Sequence, residues 1–169
     1  MTAFASDHPR NLSKTGKVAV VTLSDTRTEK NDVGGDIIVD LATKSSHQVV
    51  KRILLKEDPK QIAEIVQQLA IDSSVDIILI TGGTGITQRD NTFEIVAEML
   101  TREIPGYGEL FRALSYQEIG PAAMLSRAQG GLLGQTLLFT MPGSPAAVRL
   151  AMEKLILPEL GHLLQESQR

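Results

Sequence analysis

Residues 75–85 read VDIILITGGTG. An apolar run this dense in β-branched residues, bounded by polar ones, reads as a strand buried on both faces, which is the habit of a parallel sheet. It runs straight into three Gly and two Thr. Glycine admits positive φ and lets a ligand come close to the backbone. Successive N–H groups in such a turn form an anion-binding nest, and the Thr hydroxyls add donors. A tight strand-to-helix connection needs one Gly for geometry; three in five residues point to a bound ligand. The loop is not a Walker A motif, because no Lys follows, and it is not a GxGxxG fingerprint.

The same pattern recurs on either side of this stretch. KVAVVTL (Lys17–Leu23) and QVVKRILL (Gln48–Leu55) read as two further strands, and TLLFTM (Thr136–Met141) as another. Between them lie helical stretches. One follows Gly34-Gly35, with Ile37, Ile38 and Leu41 on one face. Another opens at Asp58-Pro59-Lys60-Gln61, where Asp58 can cap, Pro59 fits the first helical position and Gln61 completes a capping box. A third spans residues 91–100, with Asn91 and Glu94 as a second capping box. TREIPGYGE reads as a turn-rich loop, followed by short helices over 109–117 and 121–127. The last helix covers residues 146–164, with Pro158 expected to kink or break it. Strands alternating with helices imply βαβ crossovers and a mainly parallel sheet.

The chain has 169 residues, enough for one compact domain, here placed at 17–169 behind a flexible N-terminal tail at 1–16. Apolar residues at 42% and charged residues at 22% are ordinary globular usage. Aromatics are only 4% and Trp is absent, so Ile, Leu, Val and Ala must fill the core. The net charge of −3 and the lack of a basic stripe argue against nucleic acid as a partner. With no Cys, disulfides, thiolate metal sites and thiol nucleophiles are excluded. His8, His47 and His162 lack metal spacing. No apolar stretch is long enough for a bilayer and the first residues lack a signal-peptide core, so a cytoplasmic protein without a membrane partner is expected.

Ligands of open α/β sheets collect beyond the carboxyl ends of the strands. Three loops leave strands on that edge: Ser24-Asp25-Thr26-Arg27, Thr81-Gly82-Gly83-Thr84-Gly85 and Pro142-Gly143-Ser144-Pro145. Asp90 reads two ways, as a carboxylate that holds Mg²⁺ between phosphate oxygens or as a helix cap. Glu57 and Asp58 follow the second strand on the same edge. Asp58 has a capping job to do, whereas Glu57 has none. Arg127 can pair with a phosphate or sit on the surface.

Together, TLSD, ITGGTG, RD-x-T, PG-x-GE, LSR and MPGSP resemble, in order and spacing, the MoaB/MogA family of molybdopterin-binding proteins. The match runs over residues 17–164. The resemblance implies a three-layer α/β/α sandwich around a mainly parallel sheet, assembled as a homotrimer or homohexamer. It implies a site for molybdopterin and ATP, with Mg²⁺ as cofactor, and adenylylation of the terminal phosphate of molybdopterin with release of pyrophosphate. Other enzymes of the pathway are implied as partners. Carried over residue by residue, Gly82, Gly83, Thr84 and Gly85 fall on the binding loop and Asp90 on the catalytic Asp. Ser126 and Arg127 fall on the LSR element, and Pro142, Gly143 and Ser144 on the second glycine-containing loop; Ser24 and Asp25 belong to the TLSD element and are expected to bind substrate. Catalytic members read Pro-Asp-Asp or Pro-Asp-Glu after the second strand. Here the residues are Lys56-Glu57-Asp58, which keeps a carboxylate on a longer arm, with Asp58 as a substitute, and is closer to the MoaB branch. The rival expectations are a molybdopterin carrier without turnover, an unrelated nucleotide module using the same nest, and an interaction protein with relic loops.

Overall fold

The computed structural model describes residues 13–169. His8 and most of the expected tail lie outside the described residues. Six strands form one sheet in the order β2-β1-β3-β6-β5-β4. They are β1 (Lys17–Leu23), β2 (Gln48–Leu55), β3 (Ile77–Thr81), β4 (Arg102–Glu103), β5 (Gly130–Leu133) and β6 (Thr136–Met141). The pairs β1/β2, β1/β3 and β3/β6 are parallel, while β5 runs antiparallel to β6 and β4. Alternate residues of a strand point to opposite faces, and both faces are buried here. Val18, Val20, Ile77, Leu79, Leu137 and Phe139 serve one core, and Ala19, Val21, Ile78, Ile80 and Leu138 the other.

Helices cover each face. On the first lie α1 (Val33–Lys44), α4 (Pro105–Ile119) and the C-terminal run, α5 (Pro145–Leu150) and α6 (Leu157–Ser167); on the second lie α2 (Pro59–Ile71) and α3 (Thr92–Met99). The three-layer expectation is met. This winding also opens the site. The loop after β3 leads to α3 on one face, and the loop after its neighbour β6 leads to α5 on the other. Loops that part to opposite faces leave a crevice between them at the carboxyl edge.

The structure departs from the sequence reading where glycine and proline obscure it. PGYGE is not a loop: α4 begins at Pro105, and Tyr107 and Phe111, one turn apart, are both buried. Position 108 of this helix is a glycine because the Ala128 carbonyl passes close by; a Cβ there would lie 2.6 Å from it. The expected helix at 121–127 is a short 3₁₀ segment, Gly120–Leu125. Strands β4 and β5 were not anticipated. Gly130 and Gly131 occur in a strand because a Cβ on either would meet the Phe139 ring or the Arg102 carbonyl, each at 2.4 Å.

Pro158 does not break the last helix. A π-turn over Ala151–Ile156 precedes it, and the Leu157 N–H bonds to the Met152 carbonyl, five residues back. Of the two capping boxes, Asp58 makes its half, accepting from the Gln61 amide at 2.9 Å, while its own amide bonds to the Lys56 carbonyl. The Asn91/Glu94 box does not form. The Asn91 amide group donates to the Gln88 and Arg89 carbonyls, and Glu94 pairs with Arg127.

Residues 14–16, assigned to the tail by sequence, are tied to the body. Lys14 Nζ donates to the Leu164 carbonyl at 3.1 Å, and the Gly16 amide to Nδ1 of buried His47 at 3.1 Å. Burial pushes His47 below its ordinary value of 6.5. The unfolded chain therefore binds the proton first as pH falls, so this stability is complete above about pH 6.5 and is lost as pH falls below it toward the folded value. Urea midpoints should drop between about pH 7.5 and about pH 5.5, and His47→Asn, which keeps an acceptor without a titrating ring, should flatten that drop. An unchanged slope in the variant would assign it to other groups.

Candidate functional site

At the carboxyl edge lies a cleft of about 290 Å³ bordered by Gly83, Thr84, Gly85, Asp90, Ser126, Pro142, Gly143 and Ser144. Phe111, Ile119, Ala123 and Leu125, from α4 and the 3₁₀ segment, form an apolar wall. The sequence reading puts Phe111, Ala123 and Leu125 on short helices but does not bring them to the cleft, because that depends on how α4 and the 3₁₀ segment pack against the loops.

The glycine loop owes its shape to its carbonyls. The Thr92 hydroxyl and amide donate to the carbonyls of Gly82 and Gly83, each at 3.2 Å. The Arg127 amide donates to Thr84 O at 3.0 Å, and its Nε to Gly85 O at 2.7 Å. Four consecutive carbonyls are thus satisfied by protein. The amides of Gly83 and Thr84 have no protein acceptor among the described residues, and both residues border the cleft. Unpaired amides beside an open cleft are what an anion needs. The glycine count has a second cause, however. Gly82 and Gly83 have φ of 107° and 63°, and a Cβ on either would come within 2.2 Å of Leu23 O or Thr92 Oγ1. These two glycines are required by packing whether or not a ligand binds.

Arg127 is placed differently from the sequence expectation. It does not border the cleft. Its Nη2 donates to Asp90 O at 2.5 Å, its Nη1 pairs with Glu94, and its guanidinium lies 5.4 Å from the Phe93 ring centroid. It fastens the glycine loop to the start of α3, while Ser126 beside it borders the cleft.

Beside the cleft lies an acidic group, and Ser24, Asp25, Glu57 and Asp58 do not border the cleft itself. Asp25 accepts from the Glu57 amide at 3.3 Å and from Arg89 at 3.1 Å. Burial pushes Glu57 above the usual glutamate range, and the Asp90 and Asp25 carboxylates add to this while Arg89 opposes it. For Asp90, partial burial is outweighed by hydrogen bonds from the Thr87 hydroxyl and amide and the Gly85 amide, with help from the Arg127 charge, so it stays below the carboxylate range. Thus Glu57 senses both Asp90 and Asp25, and of the three only Asp90 borders the cleft. Asp58 is engaged in capping α2. Among the described residues no group of three or more acidic or His side chains is arranged to hold a metal.

On the third loop, the Thr81 hydroxyl donates to Pro142 O at 3.2 Å, and Ser144 caps α5 by accepting from the Ala147 amide at 3.3 Å. Ser24 Oγ accepts from the amides of Thr26 and Arg27, folding the first loop. Arg27, which the sequence reading passed over, donates to Gly143 O at 2.6 Å.

Fold and cleft define a doubly wound α/β domain with a ligand cleft at the carboxyl edge of its sheet. Comparison with known proteins narrows this. A family model described as "Probable molybdopterin binding domain" matches residues 19–162. Molybdenum cofactor biosynthesis protein B of Bacillus cereus is 47% identical over 165 residues, covering 97% of this chain and 98% of that one. A crystal structure of a molybdenum cofactor biosynthesis protein B has a TM-score of 0.90 at 49% identity, covering 93% of this chain and 98% of that one. The tungsten cofactor synthesizing protein MoaB from Pyrococcus furiosus has a TM-score of 0.84 at 36% identity, with 92% and 99% covered. The chain belongs to the MoaB/MogA family of molybdenum cofactor biosynthesis proteins. No helix of the described residues is long and apolar enough to cross a membrane.

Gly82→Ala tests how far the loop depends on its backbone. Left-handed φ alone costs about 1–3 kcal/mol for a residue with a Cβ, and the contact with Leu23 O adds to it. Urea unfolding should show at least that loss; a variant as stable as the parent would mean the loop can be re-routed.

Proposed function

We propose that the chain binds molybdopterin in this cleft and adenylylates its terminal phosphate with ATP. The observation that carries the reading is the pair of unpaired amides, Gly83 and Thr84, beside Asp90 and opposite an apolar wall. A phosphorylated heterocycle has the matching parts: a phosphate for the amides and a flat ring for the wall. In the reaction, an oxygen of the molybdopterin phosphate attacks the α-phosphorus of ATP. A new P–O bond forms, the bond to the β-phosphate bridge breaks, and pyrophosphate leaves. The protein's share is positioning and charge. The glycine loop amides, with Ser126 and the loop of Pro142, Gly143 and Ser144, bind and orient the substrate. The apolar wall excludes water from one side. Ser24 and Asp25 shape the first loop, and Asp25 fixes the Glu57 backbone.

The carboxylates suit Mg²⁺ as an ion shared with substrate. Mg²⁺ is commonly bound by one or two carboxylates plus phosphate oxygens rather than by a full protein cage, and Glu57 and Asp90 already repel each other. They would hold the ion, which would supply charge neutralisation on the triphosphate. Asp58 supports this loop through its cap.

Pyrophosphate release from molybdopterin, ATP and Mg²⁺ is the direct assay. Asp90→Asn should lower it by about 100-fold or more with molybdopterin affinity unchanged; equal loss of both would make Asp90 a structural residue. Glu57→Asp should match or raise the rate if arm length limits it, and a large fall would show a site built around Glu. Without Mg²⁺, Glu57 is held above the ordinary glutamate range. Asp25→Asn removes one repelling charge and should lower its titration midpoint, read by carboxyl NMR in metal-free buffer; no movement would show that Asp25 does not act on Glu57.

A second reading, binding without turnover, rests on Glu57, which puts the carboxylate after β2 on a longer arm than the Asp of catalytic members. It predicts tight molybdopterin binding and no pyrophosphate.

A further inference from the structure

The guanidinium of Arg27 reaches from the first loop to the third. Its Nη2 donates to Gly143 O at 2.6 Å, and Nη1 lies 3.8 Å from Asp32 Oδ1. Its own amide donates to Ser24 Oγ at 3.1 Å, so the side chain starts from a fixed point. The anchor is equally fixed. Asp32 is 1% exposed and accepts from the Gly35 amide at 3.0 Å, the Thr22 hydroxyl at 2.8 Å and Arg52 at 3.1 Å. Burial of Asp32 is outweighed by these bonds, so its carboxylate stays ionised and can act as an anchor.

Two glycines leave room for the guanidinium. A Cβ on Gly34 would lie 3.2 Å from Arg27 Nη1; one on Gly143 would lie 3.7 Å from Nη2 and 3.6 Å from Gly82 Cα. The third loop therefore rests against the glycine loop, and Arg27 grips it by the carbonyl. Arg27 does not border the cleft, whereas Gly143 does.

We propose that Arg27 is a positioning residue of the cleft. Clamped to buried Asp32, it fixes the loop of Pro142, Gly143 and Ser144 against Gly82, and so sets the wall on which the ligand is seated. The ligand part of this statement rests on the molybdopterin reading above; the clamp does not. Only a planar fork can serve a carbonyl and a carboxylate together; a lysine ammonium is a point charge that serves one well.

The test compares the wild type with Arg27→Ala, Arg27→Lys and Asp32→Asn by hydrogen exchange and by molybdopterin binding. In Arg27→Ala, the Ala147 and Val148 amides, which bond to Ser144, should exchange faster while strand β3 keeps its protection. Molybdopterin affinity should fall about tenfold, the scale of one lost charge-assisted hydrogen bond. Added guanidinium at non-denaturing concentration should restore part of it, and Arg27→Lys should lie between. Unchanged exchange at Ala147 and Val148, or faster exchange with unchanged affinity, overturns the proposal. If Arg27→Ala does not fold, Arg27→Lys and Asp32→Asn decide by the same two measurements. A wild type that binds no molybdopterin overturns the functional reading, and exchange at Ala147 and Val148 then decides the clamp alone.

Discussion

A peptide unit is planar, so fixing a carbonyl fixes the N–H on its other end. The glycine loop is built on that constraint. Thr92 and Arg127 take the carbonyls of Gly82, Gly83, Thr84 and Gly85, and each fixed carbonyl sets the direction of the next amide. None of these donors needs to touch a ligand. Their effect is to orient amides before anything binds, which removes the entropy of ordering them from the cost of binding. Thr92 can do this because it opens α3 and because Gly82 and Gly83 hold left-handed conformations that a residue with a Cβ would not tolerate there. Arg127 can do it because Phe93 and Glu94 of the same helix face its guanidinium.

This explains which parts of the fold and site are legible from sequence. Apolar runs report burial on both faces directly, so β1, β2, β3 and β6 are visible as strings. Asp58-Pro59 is visible as a helix start because capping is local chemistry. The glycine-rich α4 and β5 are not visible, because their glycines answer to distant groups: Gly108 to the Ala128 carbonyl, Gly130 to the Phe139 ring and Gly131 to the Arg102 carbonyl. Local statistics read such glycines as turns. In the site, the loop of Gly82 to Gly85 and the neighbouring Asp90 are legible as a motif. The apolar wall from Phe111 and Ala123 is not, since it depends on tertiary packing of α4 and the 3₁₀ segment against loops distant in sequence. Nor are the arginines. An Arg in a motif suggests a phosphate, yet Arg127 and Arg27 both bind backbone carbonyls, and only tertiary structure shows that choice.

The two arginines act at opposite sides of the same cleft. Arg127 fastens the glycine loop to α3 on one face of the sheet, and Arg27 fastens the third loop near α1 on the other. The crevice exists because consecutive loops diverge to opposite faces, and divergence alone would leave it wide. The arginines limit its width without filling it. Each uses a charged group to satisfy a neutral carbonyl, a stronger bond than a neutral donor would make, and each is neutralised by a carboxylate, Glu94 or Asp32.

A net charge of −3 is compatible with anion binding because the donors and the carboxylates at this edge of the sheet are distinct groups. At the glycine loop the donors are dipoles that carry no net charge. Beside the cleft, Asp90 and Asp25 raise the cost of ionising Glu57, with Arg89 as the cation opposing them. An anion brought to these carboxylates without a cation would be repelled; brought to the amides it would be attracted. Attracting an anion and attracting a cation are therefore separable physical tasks at this edge of the sheet. The longer arm of Glu57 bears on the second of them, and a change at that position leaves the Gly83 and Thr84 amides as they are.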